Sequence, residues 1–148
     1  MSALSDQPLP PKLVEGFVVE STCNALKRMG WTTNAVASTT TTGVDIVATR
    51  DDARLHIEAK GAGSSAVGSK RYGKPFTTNQ VVQSLSAALY TALAVEAPTL
   101  SGIAVPDTPT YRARLKPGIA ESLTRLGIVV FWVSEDGSVR TDNDAAIQ

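Results

Sequence analysis

Apolar residues in the first part of the chain recur at helical spacing and then at strand spacing. The opening stretch repeats them every three or four positions and ends before Gly30, which tolerates the left-handed conformation of a helix end. The following stretches are rich in β-branched residues or alternate apolar with polar residues, which is typical of half-buried strands. The pattern therefore predicts a helix over 12–29 and strands over 31–38, 43–50 and 54–60.

The second half of the chain alternates helices with strands. We expect Thr77 or Thr78 to cap a helix that ends near Ala94. A later helical stretch ends at Gly127, and Pro117 within it marks a kink or a new start. Further strands are predicted over 101–105 and 128–133, with one more short strand after 135–137. This order predicts an α/β fold in which helices flank both faces of a mixed central sheet.

Length and composition fit a single domain. The chain has 148 residues, of which 43% are hydrophobic, enough for one substantial core. We expect a flexible lead-in over 1–11, a domain over 12–140 and an acidic tail over 141–148. The lone Cys23 excludes an intramolecular disulfide and a thiolate zinc site. Because the chain has neither a membrane-length apolar run nor a secretory leader, we expect a cytoplasmic protein.

Three charged residues on neighbouring strands form the most informative pattern. Asp45 lies between apolar residues on one strand, and Glu58 and Lys60 share a face of the next. If the strands pair through the Asp51-Asp52 turn, the two carboxylates lie side by side. Adjacent carboxylates repel each other unless a cation separates them, and Mg²⁺ accepts such ligands together with waters and phosphate. The lysine ammonium would orient an attacking water and stabilise charge on phosphoryl oxygens.

These motifs and the element order resemble the PD-(D/E)xK nuclease superfamily, which has the restriction-endonuclease-like fold. The motifs are GVDI at 43–46 and IEAK at 57–60, placed between a leading and a trailing helix. Val44 stands where the family name has proline. The resemblance spans about 12–133 and is nearest to Holliday-junction resolvases and the endonuclease domains of methylation-dependent restriction enzymes. It implies a single-domain αβββαβ core with an added helix and strand.

The resemblance also implies roles for individual residues. Asp45 and Glu58 match the metal-binding carboxylates, the carbonyl of Ala59 is a further ligand, and Lys60 matches the catalytic lysine. The implied cofactor is Mg²⁺, with Mn²⁺ as an alternative. The implied activity is metal-dependent hydrolysis of DNA phosphodiester bonds.

Members of the superfamily often carry another acidic residue on the first helix and a glutamine near the start of the second. Glu15 lies within the apolar stripe of the first helix, whereas Glu20 points about the opposite way at roughly 100° per residue. We therefore prefer Glu15, although a structural carboxylate is an equal reading. Gln80 is nearer the helix start than Gln83, and ordinary exposed glutamines are the alternative for both.

Charge is balanced overall but not locally. The 14 basic and 14 acidic residues cancel, which argues against a protein that coats nucleic acid through bulk charge. No acidic residue lies between Glu58 and Glu96. We expect the cations of this window and of a later basic stretch to contact phosphates, with solvated side chains as the alternative. The residues concerned are Lys70, Arg71, Lys74 and Arg112, and Tyr111 beside Arg112 is a candidate for base stacking.

The sequence thus favours a small metal-dependent endonuclease that acts on DNA in the cytoplasm without a membrane partner. The alternative is an inactive module of the same fold that serves in nucleic-acid binding or protein assembly. A homodimer would give a longer DNA footprint. None of the motifs reads bases, so substrate shape, specificity, pathway and oligomeric state are left open.

Overall fold

A computed structural model describes residues 13–35, 45–63 and 75–148, and the following account concerns these residues. They form four helices, six strands and a terminal turn of 3₁₀ helix. The helices are α1 (Glu15–Arg28), α2 (Thr78–Ala94), α3 (Pro109–Arg114) and α4 (Pro117–Leu126). The strands are β1 (Thr32–Ala35), β2 (Ile46–Arg50), β3 (Ala53–Ala59), β4 (Leu100–Pro106), β5 (Val129–Val133) and β6 (Val139–Asp142), and the 3₁₀ turn covers Ala145–Ile147.

The strands form one six-stranded sheet in chain order, from β1 to β6. The first three strands pair antiparallel, and a two-residue turn joins β2 to β3. β3, β4 and β5 run parallel, since helices make the crossovers between them, and β6 returns antiparallel to β5. The predicted mixed α/β fold with flanking helices is confirmed.

The sheet separates two apolar layers. Alternate residues of β3, including Leu55 and Ile57, pack with Leu26 of α1 on one face. On the other face, Ile103 of β4 packs with Leu85 of α2. Strands β4 and β5 are buried on both faces, which explains why their sequences read as continuous apolar runs.

Local signals set several helix ends as predicted. Thr77 caps α2 through a hydrogen bond from the Gln80 backbone N–H to its side-chain oxygen. Pro117 occupies the first turn of α4, where its missing N–H leaves no donor unsatisfied. Gly127 ends α4 at φ +69°, a conformation that favours glycine.

The end of the chain differs from the predicted acidic tail. β6 extends to Asp142, and the side chain of Ile147 is fully buried in the α1 layer. Trp31 Nε1 donates to the Ile147 carbonyl at 3.1 Å, and Arg50 Nη2 donates to the Gln148 carbonyl at 2.9 Å. The division at 140–141 is therefore wrong, because these residues complete the core. The predicted lead-in over 1–11 lies outside the described residues.

Candidate active site

The hairpin of β2 and β3 brings the two central carboxylates together. Asp51, at φ +53°, adopts the left-handed conformation that aspartate tolerates, so two residues suffice for the turn. The register pairs Ile46 with Ile57. Asp45 immediately precedes β2, and one further step of this register sets it opposite Glu58. The predicted pairing through the Asp51-Asp52 turn is thus confirmed, with β2 beginning one residue later than the aspartate.

Asp45 is held in place by the backbone of β3. Its side chain is buried, with 3% of the residue exposed. Its Oδ2 accepts a hydrogen bond of 2.8 Å from the Ala59 backbone N–H. The bond fixes the carboxylate and places Ala59, whose carbonyl is a predicted metal ligand, directly beside it.

Glu58 has an incompletely satisfied carboxylate. Its side chain is 11% exposed, and its Oε2 is shielded from solvent with no hydrogen-bond partner among the described residues. Burial and then the charge of Asp45 raise the pKa of Glu58 from 4.5 to about 7, against the opposing effect of Lys60. The Lys60 Nζ lies 3.5 Å from Oε1. Near neutral pH the carboxyl is therefore divided between its protonated and ionised forms.

Glu15 joins this cluster from the first residue of α1. Burial raises its pKa, the charge of Asp45 raises it further, and Lys60 lowers it. The pKa of Glu15 thus responds to the charges of both Asp45 and Lys60. Glu20, the alternative, lies further along the helix, and both glutamates are exposed. The described electrostatics couple Glu15 to the charges of Asp45 and Lys60, and its place in the site stays a prediction.

Gly61 makes the approach of α1 feasible. A Cβ built on this residue would lie 2.5 Å from the Glu15 backbone nitrogen, closer than nonbonded atoms allow. The Ala62 N–H donates to the Leu13 carbonyl at 2.6 Å, which ties the same two segments together. Sequence reasoning missed Gly61, although a glycine directly after the Glu-Ala-Lys motif was a visible signal.

Gln80 has a structural role at the start of α2. Its Oε1 accepts a hydrogen bond of 2.8 Å from the Thr77 N–H and completes a capping box. The described contacts thus give Gln80 a capping role, and its place in the active site stays a prediction. Gln83, the alternative, is exposed on α2.

Two other expectations about nucleic-acid contacts change. The Arg112 guanidinium binds both oxygens of Asp107, at 2.8 and 3.1 Å, and lies 3.9 Å from the Trp132 ring centroid. It is therefore a structural clamp rather than a free phosphate ligand. Tyr111 is 1% exposed and presents no face for base stacking. The remaining predicted phosphate ligands, Lys70, Arg71 and Lys74, lie outside the described residues.

The carboxylate pair is compatible with a magnesium ion. Within the described part of the chain, no group of three or more His, Cys, Asp or Glu side chains is placed to hold a metal ion. Mg²⁺ does not require one, because it is commonly bound by one or two carboxylates and completes its octahedron with water and phosphate. The unpartnered Glu58 Oε2, next to the fixed Asp45, supplies an oxygen with unused acceptor capacity.

Comparisons with protein-family models, curated proteins and solved structures return no match for this chain. No helix in the described ranges is long and apolar enough to cross a membrane. The resemblance to the PD-(D/E)xK nucleases therefore rests on this chain's own residues and element order.

Proposed function

We propose that this protein is a metal-dependent endonuclease that hydrolyses phosphodiester bonds of DNA. The observation that carries the proposal is the convergence of Asp45, Glu58 and Lys60 at one end of the β2–β3 hairpin, with Glu15 beside them. Carboxylates placed close together make folding harder, since each raises the pKa of its neighbour. A cluster of this kind, beside a lysine, is typical of a site selected for function.

Asp45 and Glu58 would hold the metal ion, Mg²⁺ or Mn²⁺. When bound, the ion acts as a Lewis acid that offsets the charge developing on the phosphoryl oxygens. The hydrogen bond from the Ala59 N–H keeps the Asp45 carboxylate oriented, as the ligand of a metal ion requires. The pKa of Glu58 is raised because its negative charge is unfavourable in the metal-free protein. A bound metal ion would neutralise that charge.

Lys60 would act on the water and the phosphate. Its side chain is 22% exposed and its Nζ lies 3.5 Å from Glu58 Oε1, so the carboxylate limits where the ammonium group can point. A positive charge held there stabilises the negative charge that builds up as water attacks phosphorus. Glu15, whose pKa responds to Asp45 and Lys60, would orient the attacking water.

The resemblance stated above supports DNA as the substrate. The element order helix, three strands, helix, strand matches that of the superfamily, and the acidic pair and the lysine occupy the matching positions. The inactive module of the same fold is the outcome that a failed assay would favour.

A cleavage assay tests the proposal. Supercoiled plasmid, single-stranded circles and a four-way junction are incubated with Mg²⁺, Mn²⁺ or EDTA. We expect metal-dependent cleavage by the wild type and loss of at least about a hundredfold in Lys60→Met, given the size of typical electrostatic contributions. Lys27→Met, on the exposed part of α1, is the matched control and should cleave normally.

Metal binding provides a second, independent measurement. Mn²⁺ titrated into the wild type by calorimetry should bind, and Asp45→Asn should abolish binding without unfolding the protein. A wild type that neither binds Mn²⁺ at millimolar concentration nor cleaves any substrate would refute the enzyme and favour the inactive module.

A further inference from the structure

The residues that directly follow β3 form hydrogen bonds with several other segments of the chain. We call residues 60–63 the exit segment, because they follow the Glu-Ala-Lys motif and lead away from the site. Successive backbone groups of this segment bond to four other parts of the chain. The bonds are Lys60 N to Ala104 O (2.9 Å), Tyr111 Oη to Gly61 O (2.8 Å), Ala62 N to Leu13 O (2.6 Å) and Phe76 N to Ala62 O (2.7 Å).

Tyr111 supplies the one side chain in that set. Its hydroxyl is buried and donates to the Gly61 carbonyl. Burial raises the pKa of Tyr111 to about 12, so the hydroxyl keeps its proton and remains a donor at any working pH. One phenol therefore joins α3 to the exit segment.

The opposite side of the exit segment touches α1. The missing side chain of Gly61 leaves room for the backbone of Val14 and Glu15, which a Cβ would approach to 3.0 and 2.5 Å. Gly61 thus lies between the Tyr111 hydroxyl and the first turn of α1. Its neighbour Lys60 and the facing Glu15 are both members of the candidate site.

We propose that Tyr111 is a positioning residue of the candidate active site. Its hydroxyl holds Gly61 against the start of α1 and so sets the separation between Glu15 on one side and Lys60 on the other. Tyr111 touches neither metal nor substrate in this scheme. The inference rests on the proposed function, which it deepens by naming a residue outside the motif on which the site's geometry depends.

Tyr111→Phe tests this role, because it removes the hydroxyl and keeps the ring that fills the core. The matched control is Thr22→Val, which deletes another buried hydrogen bond to a backbone carbonyl, from Thr22 Oγ1 to Val18 O at 2.8 Å, two turns along α1. Amide hydrogen exchange of the metal-free proteins is measured first. Relative to the control, we expect exchange at Lys60 and Ala62 to accelerate about five- to tenfold in Tyr111→Phe, the size expected for one hydrogen bond.

Mn²⁺ titration and steady-state cleavage provide the functional measurements. Tyr111→Phe should weaken Mn²⁺ binding and lower kcat while KM for DNA is unchanged, and Thr22→Val should match the wild type in all three. Gly61→Ala adds a Cβ that would push against the backbone at the start of α1. This variant should also weaken Mn²⁺ binding.

The outcomes separate this inference from the proposed function. Exchange at Lys60 and Ala62 equal to that of the control would overturn the role of Tyr111, whether or not the protein is a nuclease. Faster exchange with unchanged Mn²⁺ affinity and kcat would overturn it as well. A wild type without Mn²⁺ binding or cleavage contradicts the proposed function instead, and the exchange data alone then decide whether Tyr111 holds the segment.

Discussion

Replacing Glu58 with glutamine should stabilise the metal-free protein at alkaline pH. Glutamine keeps the size of the side chain and removes its charge. The wild-type carboxylate is mostly buried, its Oε2 has no partner within the described residues, and Asp45 adds a second negative charge nearby. Ionising Glu58 in the folded state is therefore unfavourable, and the neutral amide avoids that penalty.

The sign and size of the effect follow from the pKa. The pKa of Glu58 is about 7 in the folded protein, against 4.5 for the ordinary carboxyl. Between these pH values the folded state binds more protons than the unfolded state, so its stability falls as the pH rises through this window. The difference between the two pKa values corresponds to about 3 kcal/mol. Relaxation around a partly open site reduces this to roughly 2 kcal/mol.

Urea unfolding in EDTA measures the effect. Glu58→Gln should exceed the wild type in unfolding free energy by roughly 2 kcal/mol at pH 8.5, and most of that gain should disappear at pH 4.5. Glu20→Gln, at an exposed position of α1, controls for the loss of one negative charge. Equal effects of Glu58→Gln at both pH values, or destabilisation at pH 8.5, would refute the reasoning, because the Glu58 carboxylate would then be adequately compensated in the folded protein.

Three further predictions concern the metal, the end of the chain and a surface arginine. Because Glu58 must lose its proton to bind a metal, Mn²⁺ affinity measured by calorimetry should rise about tenfold between pH 6 and pH 8. An affinity that does not change with pH would exclude Glu58 as a ligand. Ile147→Ala should lower the unfolding free energy by about 2–5 kcal/mol in urea titrations, since the side chain is fully buried; a change below about 0.5 kcal/mol would show that the chain end does not pack on the core. Arg112→Gln should leave DNA affinity in a gel-shift assay unchanged and lower stability by about 1 kcal/mol, because its guanidinium is bound to Asp107; weakened DNA binding would restore Arg112 as a phosphate ligand.

The elements that the sequence predicts well are those specified by local chemistry. Thr77, Pro117 and Gly127 act within a few residues of their own positions, so their effects can be read without knowledge of the fold. The two-residue turn after β2 also fixes the register of the hairpin, which is why the opposition of Asp45 and Glu58 could be anticipated.

The features that the sequence does not predict depend on partners distant in the chain. The sequence suggests that Arg112 is an unpaired cation, and only the folded structure shows the Trp132 ring beneath its guanidinium. Ile147 sits in an acidic, polar stretch and is recognised as a core residue only through its contact with the indole of Trp31. The Tyr111 hydroxyl reaches a carbonyl 50 residues earlier, and periodicity carries no information about such a bond.

Each of the two apolar layers contains one tryptophan, whose fluorescence reports on the packing around it. The chain has two tryptophans, and each occupies a different layer: Trp31 on the α1 face of the sheet and Trp132 on the α2 face. Both tryptophan residues are 2% exposed, and an arginine guanidinium lies over each ring, Arg50 at 4.6 Å and Arg112 at 3.9 Å from the ring centroid. Single-tryptophan variants would therefore follow the two faces separately by emission wavelength, and coincident melting curves would mean that both layers unfold as one cooperative unit.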